Sequence, residues 1–140
     1  MRIVVAFALG AALLAAPTGV PAQTPTPVCH GTQQPRQIAE LLFGRDIGRH
    51  IGVSETAWAR FAAREITPRF PSGLTISEAK GQWREGSDGA VLREPSKRVE
   101  IVLPGNDDDE ARLDAIVKAY KDQFRQHSVL VIVRSACVSF

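Results

Sequence analysis

The sequence predicts an α+β domain with the element order β-α-β-β-α-β. Three observations predict this order. Two segments, residues 54–66 and 107–124, carry apolar residues at helical spacing. A turn signal, Gly86-Ser87-Asp88-Gly89, is typical of a β-hairpin. Around these features lie four short runs with strand character, at residues 36–43, 74–83, 97–103 and 129–138.

The first helix follows the first strand, which is predicted over residues 36–43. Ser54 is a residue type favoured at helix N-caps, so we expect the helix to begin there. Pro68 ends it, because the residue before a proline avoids the helical region. Its buried face is predicted to consist of Trp58, Phe61, Ala62 and Ile66.

The second and third strands form the predicted hairpin. The second begins at Leu74 and alternates apolar with polar residues, and it extends to about Trp83. The third is predicted to be best formed over residues 97–103. Pro95 is expected to disturb its start, because proline lacks the backbone N–H group that a strand uses.

The second helix is the clearest element in the sequence. Asp107 is predicted to cap it, and Glu110 stands three residues further on, as in a capping box. Its apolar stripe consists of Leu113, Ile116, Val117, Tyr120 and Phe124. With the last strand, these elements predict a ferredoxin-like sandwich over residues 36–140, with two helices on one face of a four-stranded antiparallel sheet.

The first 22 residues predict a cleavable signal peptide. An uncharged apolar run extends from Ile3 to Ala16, and Val20-Pro21-Ala22 offers small residues to a signal peptidase. The run is shorter than the roughly 20 apolar residues that span a bilayer. We therefore expect export to the periplasm or beyond and no membrane span after cleavage. Residues 23–35, rich in Pro, Thr and Gln, are interpreted as a tether.

Two cysteines, Cys29 and Cys137, lie near the two ends of the predicted mature chain. An even number of cysteines in an oxidising compartment predicts one disulfide bond, with two unrelated thiols as the alternative. The predicted topology brings the start of the first strand and the end of the last strand to the same edge of the sheet. The topology and the bridge therefore support each other.

The composition gives little indication of a partner. The chain has 17 basic and 15 acidic side chains, so charge provides no argument for binding nucleic acid or an anionic membrane. His30, His50 and His127 lack the spacing of metal ligands, and no Ser-His-Asp or Cys-His arrangement is visible. We expect no cofactor, no metal and no catalytic residue that the sequence can name.

One sheet face is predicted to be apolar although no helix covers it. A half-exposed strand normally alternates apolar and polar residues, whereas residues 129–133 and Leu41-Leu42-Phe43 are apolar on both faces. Large exposed apolar patches are rare, so we expect a second copy of the chain to cover this face. A ligand cavity and a tolerated apolar patch are the alternatives.

Several short segments resemble the bacterial domain-of-unknown-function family 3574. In chain order they are Glu40-Leu41-Leu42-Phe43-Gly44, Val53-Ser54-Glu55 with Trp58, Glu65-Ile66-Thr67-Pro68-Arg69-Phe70-Pro71, Gly73-Leu74-Thr75, Gly81-Gln82-Trp83-Arg84, Arg93-Glu94-Pro95-Ser96-Lys97 and Ala136-Cys137-Val138-Ser139-Phe140. The resemblance implies a small exported bacterial protein and assigns no activity. The chain departs from the family at Leu42, where an aromatic residue is more usual, and in a longer basic loop.

The central hairpin carries the densest group of candidate ligand-binding residues, which are Gln82, Trp83, Arg84, Arg93, Glu94 and Lys97. We expect Arg84 and Glu94 to face each other across the turn. Trp83 beside arginines would form a stacking platform for a planar or anionic ligand. The alternative is a surface ladder of ion pairs with a half-buried tryptophan, which would have no functional meaning.

Three further candidates lie outside the hairpin. Glu40 lies in an apolar strand, where it would either act as a base with a raised pKa or pair with a basic neighbour such as Arg134. The end of the first helix, from Arg64 to Arg69, is interpreted as structural. The loop with Arg45, Arg49 and His50 is interpreted as a mobile basic loop, because its spacing fits no phosphate or dinucleotide motif.

Two functions fit these observations. The first is a non-catalytic binding or interaction module that dimerises through its sheet. The second is a small enzyme of the dimeric α+β-barrel kind, with a cavity between sheet and helices near Glu40 and Trp83. A purely structural role in the cell envelope is a third option.

Overall fold

The computed structural model describes residues 27–140, apart from residues 48, 49, 85 and 88. The predicted signal peptide, the start of the tether and Arg49 therefore lie outside the described residues. The main strands and the helices are β1 (Gln34–Gly44), α1 (Glu55–Phe61), β4 (Thr75–Arg84), β5 (Val91–Val102), α2 (Asp109–Phe124) and β6 (Leu130–Val138). Two short strands, β2 (Asp46–Ile47) and β3 (His50–Ile51), pair with each other in the loop after β1.

The four long strands form one antiparallel sheet in the order β4-β5-β1-β6. This is the strand order of a ferredoxin-like sandwich, so the predicted fold class is confirmed. Buried residues alternate along β1, where Ala39, Leu41 and Phe43 face the helices. The layer between sheet and helices is filled by an aromatic cluster of Phe43, Trp58, Phe61, Tyr120 and Phe124.

The first helix begins as predicted and then changes its geometry. Ser54 caps it, accepting a hydrogen bond on its side-chain oxygen from the backbone N–H of Ala57 at 3.2 Å. The predicted apolar face is confirmed, because all four of its residues are buried. The last part of the predicted helix, Ala62–Ile66, is a π-helical segment, in which the Thr67 N–H donates to the carbonyl of Ala62 at 2.9 Å.

The third strand is longer than predicted, because β5 passes through Pro95 without a break. The backbone of Pro95 faces the end of β1, where its carbonyl accepts a hydrogen bond from the Arg45 N–H at 3.1 Å. The donor that proline lacks would have bonded to the carbonyl of Arg45. That carbonyl instead accepts from the N–H groups of Gly52 and Val53, at 3.0 Å each. The missing donor therefore leaves no unpaired group at this position.

The second helix begins later than predicted, and the expected capping box is wrong. α2 starts at Asp109 with Asp108 at its N-cap, and no side chain caps it. Asp109, which is buried, accepts hydrogen bonds on Oδ2 from the N–H groups of Gly105 and Asn106, at 2.8 and 3.0 Å. The carboxylate is therefore used by the turn before the helix. The apolar stripe is as predicted, with Val117 half-buried and the other residues buried.

The predicted disulfide bond is confirmed between Cys29 and Cys137, whose Cα atoms are 5.4 Å apart. Cys137 lies opposite Pro35 in the pairing of β6 with β1, so the bridge fastens the segment before β1 to the end of β6. None of the helices in the described part of the chain has the length and hydropathy needed to cross a membrane.

Candidate functional site

The face of the sheet opposite the helices, called here the open face, carries both apolar and charged side chains. On β1 it presents Glu40 and Leu42, since their neighbours point into the core. Register places Ile132 of β6 opposite Glu40 and Leu130 opposite Leu42. Leu130 is 55% exposed and Ile132 is 40% exposed. These two side chains are exposed because, as expected, the helices cover only the other face of the sheet.

A ladder of ion pairs crosses the open face beside these apolar residues. Arg98 donates to Glu40 at 3.2 Å and to Glu100 at 3.2 Å, and Arg134 donates to Glu100 at 3.3 Å. Of the two alternatives for Glu40, the structure therefore shows pairing with a basic neighbour. The partner is Arg98 on β5, whereas Arg134 pairs with Glu100.

A second feature of the open face is the Glu94 carboxylate, which lies against Gly44 and Gly81. The Glu94 carboxylate lies so close to Gly44 that a Cβ atom on this glycine would be 2.7 Å from Oε1. A Cβ atom on Gly81 would be 3.7 Å from the same oxygen. The two missing side chains thus make the space in which the carboxylate lies. Within the described residues, Glu94 has no ion-pair partner.

The pKa of the Glu94 carboxyl is raised above its ordinary value. Burial is the main cause, and the nearby Asp46 carboxylate adds to it, while a hydrogen bond from the Asp46 backbone acts in the opposite direction. On the other side of β1, the Tyr120 hydroxyl donates to the Gly44 carbonyl at 2.8 Å. Burial raises the pKa of Tyr120 far above its ordinary value, so this phenol remains a hydrogen-bond donor.

The hairpin places its candidate residues on opposite faces. Trp83 pairs with Leu92 and Gly81 pairs with Glu94, so Trp83 and Glu94 are diagonal neighbours on the open face. Arg84 pairs with Val91 on the other face. The expected Arg84–Glu94 contact is therefore wrong, because the register of the hairpin separates the two residues by strand alternation.

The candidate residues thus form two groups. Three lie on the open face, and Trp83 among them is 47% exposed. The other four alternate onto the opposite face. The open-face group is Glu40, Trp83 and Glu94, and the opposite group is Gln82, Arg84, Arg93 and Lys97. Glu40 and Trp83 do not line a space between sheet and helices, where the aromatic cluster lies.

Lys97 belongs to an ion-pair network that the sequence did not predict. Its side chain is 5% exposed, and its Nζ donates to Glu55 at 2.7 Å and also to Glu78. Glu55 pairs with Arg45 as well, and Arg45 Nε donates to the Val53 carbonyl at 2.8 Å. The interpretation of Arg45 as part of a mobile basic loop is therefore wrong. Arg45 is buried, and it fastens the loop to the start of α1.

The network shifts the pKa values of Lys97 and Glu55 in the direction of ion pairing. Burial alone would lower the pKa of Lys97, but its bonds to Glu55 and Glu78 outweigh burial, and the pKa is raised. The pKa of Glu55 is lowered, chiefly by its hydrogen bond from Lys97. All four charges are paired, so the network acts as a structural connection between β5, β4 and α1. One signal in the sequence could have predicted this network, namely the position of Glu78 in the alternating pattern of its strand.

Fold and site together define a small ferredoxin-like domain closed by a disulfide bond, with an uncovered sheet face. A family model described as "Protein of unknown function (DUF3574)" matches residues 38–140. The chain belongs to this family, as the resemblance implied. A search of curated proteins found no match.

Solved structures with the same fold include two of a phage SAM lyase. The lyase in complex with S-methyl-5′-thioadenosine is 17% identical with a TM-score of 0.57, and the match covers 84% of this chain and 97% of that chain. Its apo state is 17% identical with a TM-score of 0.54, covering 79% and 94%. CutA from Synechococcus elongatus is 12% identical with a TM-score of 0.47, covering 76% and 80%. At these identities, the likeness to the two lyase structures shows the fold alone.

Proposed function

We propose that this domain is an exported binding module that pairs with a second copy of itself through the open face of its sheet. The observation that carries the proposal is the exposure of Leu130 and Ile132 on a face that no helix covers. Apolar side chains gathered in one place on a surface favour association, because association removes them from water.

The charges on the open face support pairing between identical copies. Glu40 and Glu100 alternate with Arg98 and Arg134 in one ladder. When two such faces meet about a two-fold axis, each acid of one ladder can lie opposite a base of the other. A two-fold interface uses the same patch on both copies, so a surface of this kind must be self-complementary.

The test is the mass of the particle in solution, measured by light scattering during size-exclusion chromatography. We expect the mature chain to elute as a dimer. Ile132→Glu should convert it to a monomer, because the substitution brings two buried and unpaired carboxylates into the interface. A wild-type chain that remains monomeric at high concentration would contradict the proposal.

Val133→Glu is the matched control. Val133 is the next residue on β6 and is 48% exposed, but it lies opposite Ala39 and so points away from the open face. The control variant should remain a dimer. Equal loss of the dimer in both variants would indicate that the edge of β6, rather than the open face, forms the contact.

Export belongs to the same proposal, because a cleaved signal peptide would deliver the chain to a compartment in which Cys29 and Cys137 can form their bond. The intact mass of the chain recovered from a cell envelope fraction should correspond to a start at Gln23 with both cysteines oxidised. A full-length mass, or two free thiols, would contradict this part.

A second candidate function is a small enzyme that uses Glu94 as a general base. One observation favours it over a module without chemistry, namely the raised pKa of a carboxyl group that lies against Gly44 and Gly81 on the open face. Trp83 lies diagonally beside it and offers a stacking surface. In this version of the alternative, Glu94 takes the place that the sequence analysis gave to Glu40.

S-methyl-5′-thioadenosine, which is bound in a phage lyase of the same fold, is a suitable probe for this candidate. We expect it to quench the fluorescence of Trp83 in a saturable way, whereas Trp58 is buried and should not respond. Trp83→Phe should abolish the quenching. The enzyme candidate also requires turnover of SAM, detected by chromatography, that Glu94→Gln removes. Absence of both quenching and turnover would contradict it for this class of ligand.

A further inference from the structure

A groove lies between the first helix and α2, on the helical side of the domain and away from the open face. It has a volume of about 280 Å³. Its lining consists of Ala57, Arg60, Phe61, Arg64, Glu65 and Gln123. The first helix and its π-helical segment therefore provide most of the lining, and α2 contributes the amide side chain of Gln123.

Two guanidinium groups of the groove lack an ion-pair partner in the part of the chain that the structure describes. They belong to Arg60 and Arg64, which are one helical turn apart and both exposed. The one acid of the groove, Glu65, is already neutralised, because Arg69 donates to its carboxylate at 2.9 Å and to its backbone carbonyl at 2.6 Å. The groove thus has a net positive charge.

The backbone geometry of the groove is unusual as well. The π-helical segment Ala62–Ile66 contains Arg64 and follows directly after Phe61. π-helical turns are rare inside helices and occur frequently at functional sites. Here the turn widens the helix between the two arginines. Phe61, which is 1% exposed, provides an apolar wall at the same position.

We infer that this groove binds a small oxyanion, either a carboxylate or a phosphate group of a compact organic molecule. Two guanidinium groups match the geometry of such an anion, because each presents several N–H donors in a planar fork. The amide of Gln123 supplies a further donor, and Ala57 leaves room beside the apolar wall. This site is separate from the self-association of the open face, so each can fail without the other.

The test is a titration of the ¹⁵N-labelled mature chain with inorganic phosphate, and separately with succinate, at constant ionic strength. The side-chain Nε–H signals of Arg60 and Arg64 should shift together and saturate. Arg64→Gln should weaken binding about tenfold, since a charge-assisted hydrogen bond contributes about that factor. A response to phosphate alone would indicate a phosphoester, and a response to succinate alone would indicate an organic acid.

Arg36→Gln is the control, because Arg36 is an exposed arginine of β1 outside this groove. It should leave the binding constant unchanged. Arg64→Lys should recover part of the affinity, because it keeps the charge and loses the fork. Three outcomes would overturn the proposal. The shifts never saturate, they appear equally at Arg36, or they persist unchanged in the Arg60→Gln/Arg64→Gln double variant. Thermal melting of each variant shows that it is folded.

Discussion

Glu94 illustrates how much a single residue depends on its neighbours. The carboxylate lies where Gly44 and Gly81 have no side chains, and it has no cation beside it within the described residues. From the sequence, Glu94 is a candidate ligand-binding residue, and Arg84 is its expected partner. Strand alternation places Arg84 on the other face, so the carboxylate is left near Asp46, and its pKa is raised. The register of β4 against β5 could not be predicted from the residue types alone.

The first prediction concerns the charge of Glu94. A raised carboxyl pKa means that the folded state favours the protonated form, so the fold loses stability as the pH rises from the unfolded pKa through the folded pKa. Glu94→Gln should therefore raise the free energy of unfolding at about pH 7, by less than about 1 kcal/mol because solvent screens the group. The gain should vanish at about pH 3, below the pKa of an unfolded glutamate, where both folded and unfolded wild-type chains hold the proton.

Urea unfolding at the two pH values measures this difference. Asp114→Asn on the exposed side of α2 is a suitable control, which should change stability little at either pH. A gain that is the same at both pH values would show that ionisation of Glu94 is not its cause.

At the scale of elements, the start and the end of the first helix were readable, but the geometry of its last turn was not. Ser54 bonds locally to the N–H of Ala57, and local bonds of this kind follow from residue type and spacing. The change to a π-helical segment at Ala62–Ile66 has no such signal, because Trp58, Phe61, Ala62 and Ile66 also fit an ordinary helix. The start of α2 shows the same limit, since Asp109 bonds to the preceding turn.

The second prediction concerns this helix cap. Ser54→Ala should lower the free energy of unfolding by about 1 kcal/mol, because the Ala57 N–H loses its acceptor. Ser54→Asp should retain most of the stability, since a carboxylate also accepts this bond and favours a helix N-terminus. Chemical unfolding provides the measurement. Ser87→Ala in the hairpin removes a hydroxyl that caps no helix, and an equal loss there would refute the assignment.

At the scale of the whole molecule, one bond connects the two ends of the described chain. The Cys29–Cys137 bridge spans a sequence separation of 108 residues. It joins the segment before β1 to the end of β6, which is an edge strand of the sheet. A bridge of this span stabilises mainly because it restricts the unfolded chain.

The third prediction follows from that restriction. Replacing both cysteines by serine should lower the free energy of unfolding by about 2–4 kcal/mol. Urea unfolding of the wild type in the presence of a reductant should give the same value as the double variant. The reductant should not affect the double variant itself. If the oxidised wild type and the variant unfold at the same urea concentration, the bridge does not stabilise the domain.

The sequence by itself indicated the order of the six main elements, the fold class, the cap at Ser54, the buried helix faces and the pairing of the two cysteines, whereas the short strands β2 and β3 were not predicted. Apolar periodicity and turn residues are local signals, and the rules for short connections leave few topologies that satisfy them together. The tertiary structure alone decided which charges meet. Glu40 pairs with Arg98, Lys97 reaches Glu55 and Glu78, and Glu94 remains without a cation among the described residues. These contacts depend on strand register and on distances between residues far apart in the chain, and the pattern of residue types does not encode either one.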